Sequence, residues 1–238
     1  MEEKNRLTEN FDEEHAKEIV KTVWAPIGWA FRLCLLVFGM LIMTMGISLV
    51  TTADIGTTPI STVPFTLSEM TDFTFGQMTF AINVGFVAVQ LLLLRSRFKP
   101  INFLQIPVVW VFAMMLDWWM GTFQRVDVSE LWFAWLLSLT GNLFMAIGIY
   151  MQVRSKTIVQ PGEGIVLAVS LVTKKSFPTL KIANDVSLVV LALAIALVFA
   201  GHPIGVGWGT LVSAVLVGLL LKAIDKICRF VLRLGSVN

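Results

Sequence analysis

Apolar positions along the chain run in long blocks broken by short clusters of charge, and the block lengths carry the first information. A helix needs about 20 apolar residues to cross a hydrocarbon core. Six blocks reach or approach that length, near residues 29–52, 77–94, 103–123, 131–153, 180–200 and 204–224. Two further blocks, 59–71 and 161–173, are apolar but short. At 1.5 Å per residue they would form helices of about 20 Å, less than the roughly 30 Å core.

The two short blocks belong to a repeat. Sliding residues 39–94 onto 141–196, a shift of 102, aligns Gly39 with Gly141, Gly46-Ile47 with Gly148-Ile149, Pro59 with Pro161, Ser68 with Ser170, Thr71 with Thr173 and Phe75 with Phe177. Thirteen of the 56 pairs are identical. Matches of Leu and Val carry little weight in so apolar a chain. Those of Gly and Pro carry more, because backbone geometry sets their placement. Glycines seven apart share a helical face and let two backbones approach closely, so the helices bearing Gly39/Gly46 and Gly141/Gly148 are expected to face each other.

Composition agrees with a membrane protein: 56% hydrophobic, 14% charged, mean hydropathy +0.80, against roughly 25% charged in a soluble domain. The net charge of +2 says little; the positions of the basic residues say more. If the short blocks do not cross and the N-terminus is cytoplasmic, 17 of the 18 Lys and Arg residues lie inside and only Arg125 lies outside. If both crossed, 13 would lie inside. The excess of Lys and Arg in cytoplasmic loops therefore favours six spans with both termini inside. Three spans per half make the halves enter from opposite faces, an inverted repeat, with short segments dipping in from opposite sides. Non-spanning backbone at that depth is tolerated where it is buried in protein or lines a wet cavity, which makes these segments the best pointer to a transport site.

Their chemistry is legible residue by residue. Asp54, Gly56, Thr57, Thr58, Ser61 and Thr62 surround Pro59, with Thr58 expected to cap and Pro59 to open the first short helix. Gln160, Gly162 and Glu163 surround Pro161 in the second, where Gln160 is the weaker cap. Helix starts aimed into the membrane favour an anionic ligand, while Glu163 could satisfy its own helix end, bind a cation or carry a proton. Intramembrane ionisable groups are functional candidates. Asp117 is one, with Arg32 as a possible partner; Asn83 and Asp185, at equivalent repeat positions, are others. Helix–helix hydrogen bonding is the competing reading, and it is the favoured one for Gln90 and Asn142. His202 reads as a solvated turn residue. Gly201, Gly205, Gly207 and Gly209 suit close packing or a hinge.

Outside the spans, residues 9–24 read as an amphipathic helix opened by the capping-box pair Asn10 and Glu13. Trp118, Trp119 and Trp132 read as an interfacial belt. Lys222 to Arg233 read as a basic anchor. The polar, acidic first 25 residues argue against a cleavable signal peptide. Cys34 and Cys228 have no ligand spacing and read as packing residues. No metal-ligand spacing, nucleophile triad or phosphate loop occurs, so neither an enzyme nor a cofactor or metal site is expected.

The run Gly39-Met-Leu-Ile-Met-Thr-Met-Gly-Ile47, followed by Ala53-Asp-Ile-Gly-Thr-Thr-Pro59, resembles bacterial YczE/YyaS/YitT-type integral membrane proteins over about residues 28–225. The resemblance implies a multi-pass protein of the bacterial plasma (inner) membrane and no particular substrate; with no soluble C-terminal domain, it points to the shorter YczE-like branch. The expectation is an all-α polytopic protein of six transmembrane helices, arranged as two inverted three-helix repeats, each with a short re-entrant half-helix. Residues 1–27 would form a cytoplasmic tail, 28–125 and 126–225 the two repeats, and 226–238 a basic cytoplasmic tail. Its partners would be the lipid bilayer and a small-molecule or ion substrate, not nucleic acid, with a homodimer left open. The expected function is secondary transport or facilitated passage of a small polar solute, more readily an anion. The alternative is a non-transporting accessory protein supporting a partner enzyme.

Overall fold

A computed structural model describes residues 28–235, and among them the chain is helical without strands. Eight α-helices follow in order: α1 Trp29–Thr52, α2 Thr62–Glu69, α3 Phe75–Leu94, α4 Gln105–Phe123, α5 Leu131–Ser155, α6 Pro161–Thr173, α7 Phe177–Phe199 and α8 Trp208–Gly235. Short 3₁₀ turns, Pro59–Ser61 and Pro100–Leu104, lead into α2 and α4. The amphipathic helix expected over residues 9–24 lies outside the described residues.

Among the described residues, five helices are long and apolar enough to cross a membrane: those over Trp29–Thr52, Phe75–Arg97, Pro100–Phe123, Leu131–Ser155 and Thr179–Phe199. They fit a multi-pass membrane protein, and the many exposed Leu, Val, Trp and Phe side chains on them suit a lipid surround. The sixth block begins just before α8 and runs into its first half; α8 is not among the five. The two short blocks are helices as expected, α6 at 13 residues and α2 at 8.

At the centre α1 and α5 lie antiparallel, and glycine is the reason they lie so close. A methyl group at Gly46 would fall 2.5 Å from the Gly141 carbonyl oxygen and the Met145 amide nitrogen; one at Gly148 would fall 2.5 Å from the Met43 nitrogen and 2.6 Å from the Gly39 oxygen. Gly39 thus sits against Gly148, and Gly46 against Gly141. The same contact occurs twice, with the two helices exchanging roles. Around this seam, Leu36, Met40, Met43, Ile47 and Val50 of α1 join Phe75, Phe112, Leu116 and Met145 in the main apolar core. Trp119 does not stand in the interface belt: its indole N–H donates to the Leu41 carbonyl at 3.1 Å and ties α4 to α1. Trp118 and Trp132 are exposed. Cys34, expected to pack, is exposed, and Cys228 is half-buried.

The shifted pairing of helices extends beyond the seam. α1 packs on α4 as α5 packs on α8, and α2 packs on α3 and α7 as α6 packs on α7 and α3. The halves differ in one place: α3 packs closely on α4, whereas α7 and α8 have no comparable contact. Asp117 explains the close pair. Its carboxylate accepts from the Thr74 hydroxyl and the Gly76 amide, both at 2.6 Å, and so closes the N-terminus of α3 from α4. The position 102 residues on is Leu219, which can accept nothing.

Candidate functional site

The two short helices meet at their tips. Gly162, in the first turn of α6, lies directly against the side chain of Ile60, and any substituent on its Cα would collide with the Ile60 Cδ1. Ile60 and Gly162 are themselves 102 positions apart. On either side of this junction lies a cavity, one next to each loop that precedes a short helix.

The upper cavity, about 470 Å³, sits at the C-terminal end of α1. Asp54, Gly56 and Thr57 line it together with Thr51, Trp135 and Gly207. The loop is firmly held. The Thr57 amide donates to the Gly205 carbonyl at 2.9 Å and the Gly209 amide to the Ile55 carbonyl at 2.8 Å. Thr51 and Thr57 share a hydroxyl–hydroxyl bond of 2.8 Å. Gly56 adopts φ +114°, a conformation open to glycine, and a side chain there would strike Gly207 and Thr210. Three of the four late glycines therefore serve close packing: Gly207 and Gly209 against Ile55, Gly205 against Phe65.

The lower cavity, about 310 Å³, sits where α5 ends and α6 begins. Gln152, Gln160, Glu163, Lys156, Met43 and Ile149 line it. Gln160 is the N-cap residue of α6, yet its side chain makes no cap bond; its amide donates to Gln152 Oε1 instead. The Gln152 amide in turn donates to the Met43 sulfur at 3.1 Å. Thr58 departs from expectation in the same way: its hydroxyl donates to Ser61 Oγ at 2.8 Å and leaves the turn uncapped by a side chain. Gln90 anchors the start of α6 by donating to the Pro161 carbonyl at 3.2 Å, the interhelical role expected of it. Lys181 and Asp185, paired at 2.7 Å along α7, lie within Coulombic range of Glu163.

The candidates thus divide. Asp54, Gly56 and Thr57 line the upper cavity, and Gln160 and Glu163 the lower. Thr58, Ser61, Thr62 and Gly162 are buried at the junction. Asn83, Asp117 and Asp185 line neither cavity. Asn83 donates to the Thr79 carbonyl one turn back at 2.8 Å, so the structure does not join it to Asp185, and Asp117 is committed to α3 rather than to Arg32.

Four polar groups stand out that the sequence did not mark as candidates. Ser48 of α1, Ser138 and Asn142 of α5 and Ser213 of α8 are each at most 1% exposed. Ser48, Ser138 and Ser213 Oγ and Asn142 Oδ1 have no hydrogen-bond partner among the described residues. Asn142 does not bridge helices as expected: its amide donates to the Ser138 carbonyl of its own helix at 2.8 Å. Buried polar atoms almost always find a partner; two more without one among the described residues, Thr79 Oγ1 and Asn184 Nδ2, belong to α3 and α7, while Ser138 and Asn142 stand one turn apart on a single helix. One signal was present in the sequence: the shift of 102 pairs Ser138 and Asn142 with Leu36 and Met40, polar residues where the other half has apolar ones.

No curated protein and no solved structure matches the chain. A family model does, over residues 30–226, a stretch that reaches into all eight helices and contains both cavities; the chain belongs to the family of unknown function DUF6198.

Proposed function

We propose that this protein is a secondary transporter or facilitator for a small polar solute in the bacterial plasma membrane, built as two inverted three-helix repeats with α2 and α6 as re-entrant half-helices and α8 as the sixth span. The observation that carries the proposal is the meeting of Ile60 and Gly162. Two short helices from opposite halves meet at their starts, and the loop before each lines its own cavity. Matched interruptions in the two halves of a membrane protein point to a substrate site at their interface. The antiparallel glycine seam supports the inverted arrangement, since each contact recurs when the two helices exchange roles.

Helix starts at Pro59 and Pro161 carry the positive end of the helix dipole, which favours a solute with an anionic group. Glu163 would serve ion coupling or repel the wrong charge. Kinship with the YczE-like proteins belongs to the same proposal and rests on residues 39–59.

Cysteines introduced singly across Asp54–Thr62 and Thr157–Gly164, with Cys34 and Cys228 replaced, test the arrangement through impermeant thiol reagents applied to intact cells and to inverted vesicles. Labelling of the first stretch from outside and the second from inside is expected. Labelling of both from one side would overturn the inverted arrangement. Saturable uptake sensitive to those residues separates transport from the accessory role, for which a copurifying partner enzyme and no uptake would be the evidence.

A further inference from the structure

The two cavities are joined by one helix. α5 enters the upper cavity with Leu131 and Trp135 and the lower with Ile149 and Gln152. Trp135 and Ile149 are 14 positions apart, about 21 Å of helix. Leu131, Trp135, Ser138, Asn142, Met145, Ile149 and Gln152 follow one another at alternating steps of four and three, so they form a single stripe on one face. The middle of that stripe holds Ser138 and Asn142, the fully buried residues with unpartnered oxygens. α8, packed on α5, adds Ser213, one turn beyond the buried Thr210. Met43, which lines the lower cavity and accepts from Gln152, continues the polar contacts at the other end.

In a sealed core these positions would be apolar. The first half shows it: the positions matching Ser138 and Asn142 are Leu36 and Met40, in the main apolar core. An unpartnered buried polar atom is costly, and two of them one turn apart on α5, with a third on the adjoining α8, amount to a burden that packing does not require. We propose that the α5 stripe is the passage between the two cavities, with Ser138 and Asn142 as its closed waist, and that the solute it takes is small and carries an N–H or O–H donor. This deepens the transport reading and rests on it.

The donor requirement follows from Asn142. Its amide is fixed by the bond to the Ser138 carbonyl, since the reversed orientation would set oxygen against oxygen. The free atom is therefore Oδ1, which only accepts. The serine hydroxyls accept or donate and follow whichever partner arrives. No charged side chain lies on the stripe between Leu131 and Gln152, so selection at the waist is by hydrogen bonding, and any preference for charge is exerted at the cavities.

The test uses the full chain in lipid nanodiscs, with Cys34 and Cys228 replaced and single cysteines at Trp135, Ser138, Asn142 and Ile149. Leu139→Cys and Leu143→Cys, exposed on the outer side of α5, report the lipid face. The probes are three methanethiosulfonates: 2-aminoethyl, which has N–H donors, and 2-(trimethylammonio)ethyl and 2-sulfonatoethyl, which have none. Ser138→Cys and Asn142→Cys should label within about 100-fold of Trp135→Cys. Ser138→Cys should favour the aminoethyl reagent over the trimethylammonio reagent at least about 10-fold more than Trp135→Cys does. Adding Asn142→Leu to Ser138→Cys should abolish that preference. Ser138→Cys is close to isosteric, so its folding is not in question, and a monodisperse elution profile verifies it for the others. Cysteines at 138 and 142 that stay unreactive while those at 135 and 149 react would overturn the proposal and make the waist a sealed core. Equal preference for all three reagents at 138 would overturn the donor requirement. Neither result depends on how the two-sided labelling of the loops comes out, so the passage and the inverted arrangement fail separately.

Discussion

Ile60 lies against Gly162, and the space that an alanine methyl would need at Gly162 is filled by the end of the isoleucine side chain. The atom in the way is a terminal methyl, free to swing to another rotamer. Gly162→Ala should therefore cost about 1 kcal/mol, and Gly162→Val considerably more, because a branched side chain leaves Ile60 nowhere to turn. Pairing Gly162→Ala with Ile60→Ala should recover the loss, giving a coupling of about 0.5–1 kcal/mol in a double-mutant cycle of thermal unfolding in detergent. Strict additivity would show that the tips do not touch in solution.

The seam between α1 and α5 behaves differently, because there the obstacle is backbone. A methyl at Gly46 meets the Gly141 oxygen and the Met145 nitrogen at 2.5 Å, and no rotamer change relieves either contact. Gly46→Ala should separate the helices and lower stability by about 3 kcal/mol or abolish folding. Gly85 of α3 and Gly218 of α8 have nothing within 4 Å. Alanine at either should stabilise by about 0.5–1 kcal/mol, the ordinary gain from replacing a helical glycine. Melting temperatures of the three variants side by side check the contrast; a mild Gly46→Ala would mean that the helices sit farther apart.

What the sequence could convey depended on how local each signal was. The helix limits were legible because an apolar block and a proline start are properties of neighbouring residues: 29–52 and 161–173 coincide with α1 and α6. The glycine seam was legible because it occurs twice. Asp117 was legible only as a carboxylate within an apolar helix; its partners in the structure, Thr74 and Gly76, stand more than 40 positions away. Ser138 and Asn142 were half legible, since the shift of 102 sets them against Leu36 and Met40, but their lack of partners was not. Small polar residues on such helices ordinarily bond a neighbouring helix, and only the arrangement in space reveals that these do not. The caps at Thr58 and Gln160 failed because better partners, Ser61 and Gln152, lay within reach.

Asp117 offers a test of whether a carboxylate bonded to a helix start is structural or part of a pathway. Thr74 caps α3 through the Gln77 amide, and Asp117 holds Thr74 and Gly76 from outside the helix. Asp117→Ala leaves the Gly76 amide without that acceptor and should destabilise by about 1–3 kcal/mol. Asp117→Asn can still accept from Gly76 and donate to the Thr74 hydroxyl, so it should lose about 1 kcal/mol or less. Neither should alter thiol labelling of Trp135→Cys in the upper cavity by more than about twofold. A large change in labelling with an unchanged melting temperature would make Asp117 part of the pathway instead.

Glu163 is where charge should be felt in the lower cavity. Its carboxyl group and the exposed Lys156 are the ionisable groups lining that cavity, while Asp185 is held by Lys181 on α7 and lines neither cavity. A full charge at a few ångströms in a partly wet site changes the local energy of an ion by about 1–2 kcal/mol, roughly a tenfold change in local concentration. With a reporter at Ile149→Cys, the ratio of labelling by the cationic trimethylammonio reagent to labelling by the anionic sulfonato reagent should fall about tenfold in Glu163→Gln. Replacing the pair together, Lys181→Gln with Asp185→Asn, should leave the ratio within about twofold, since the two charges already offset each other. If both variants shift the ratio equally, Glu163, Lys181 and Asp185 act as one unit, and the pair on α7 belongs to the site. If neither does, Glu163 presents no charge to the cavity, and its place at the start of α6 is that of a neutral hydrogen-bonding group.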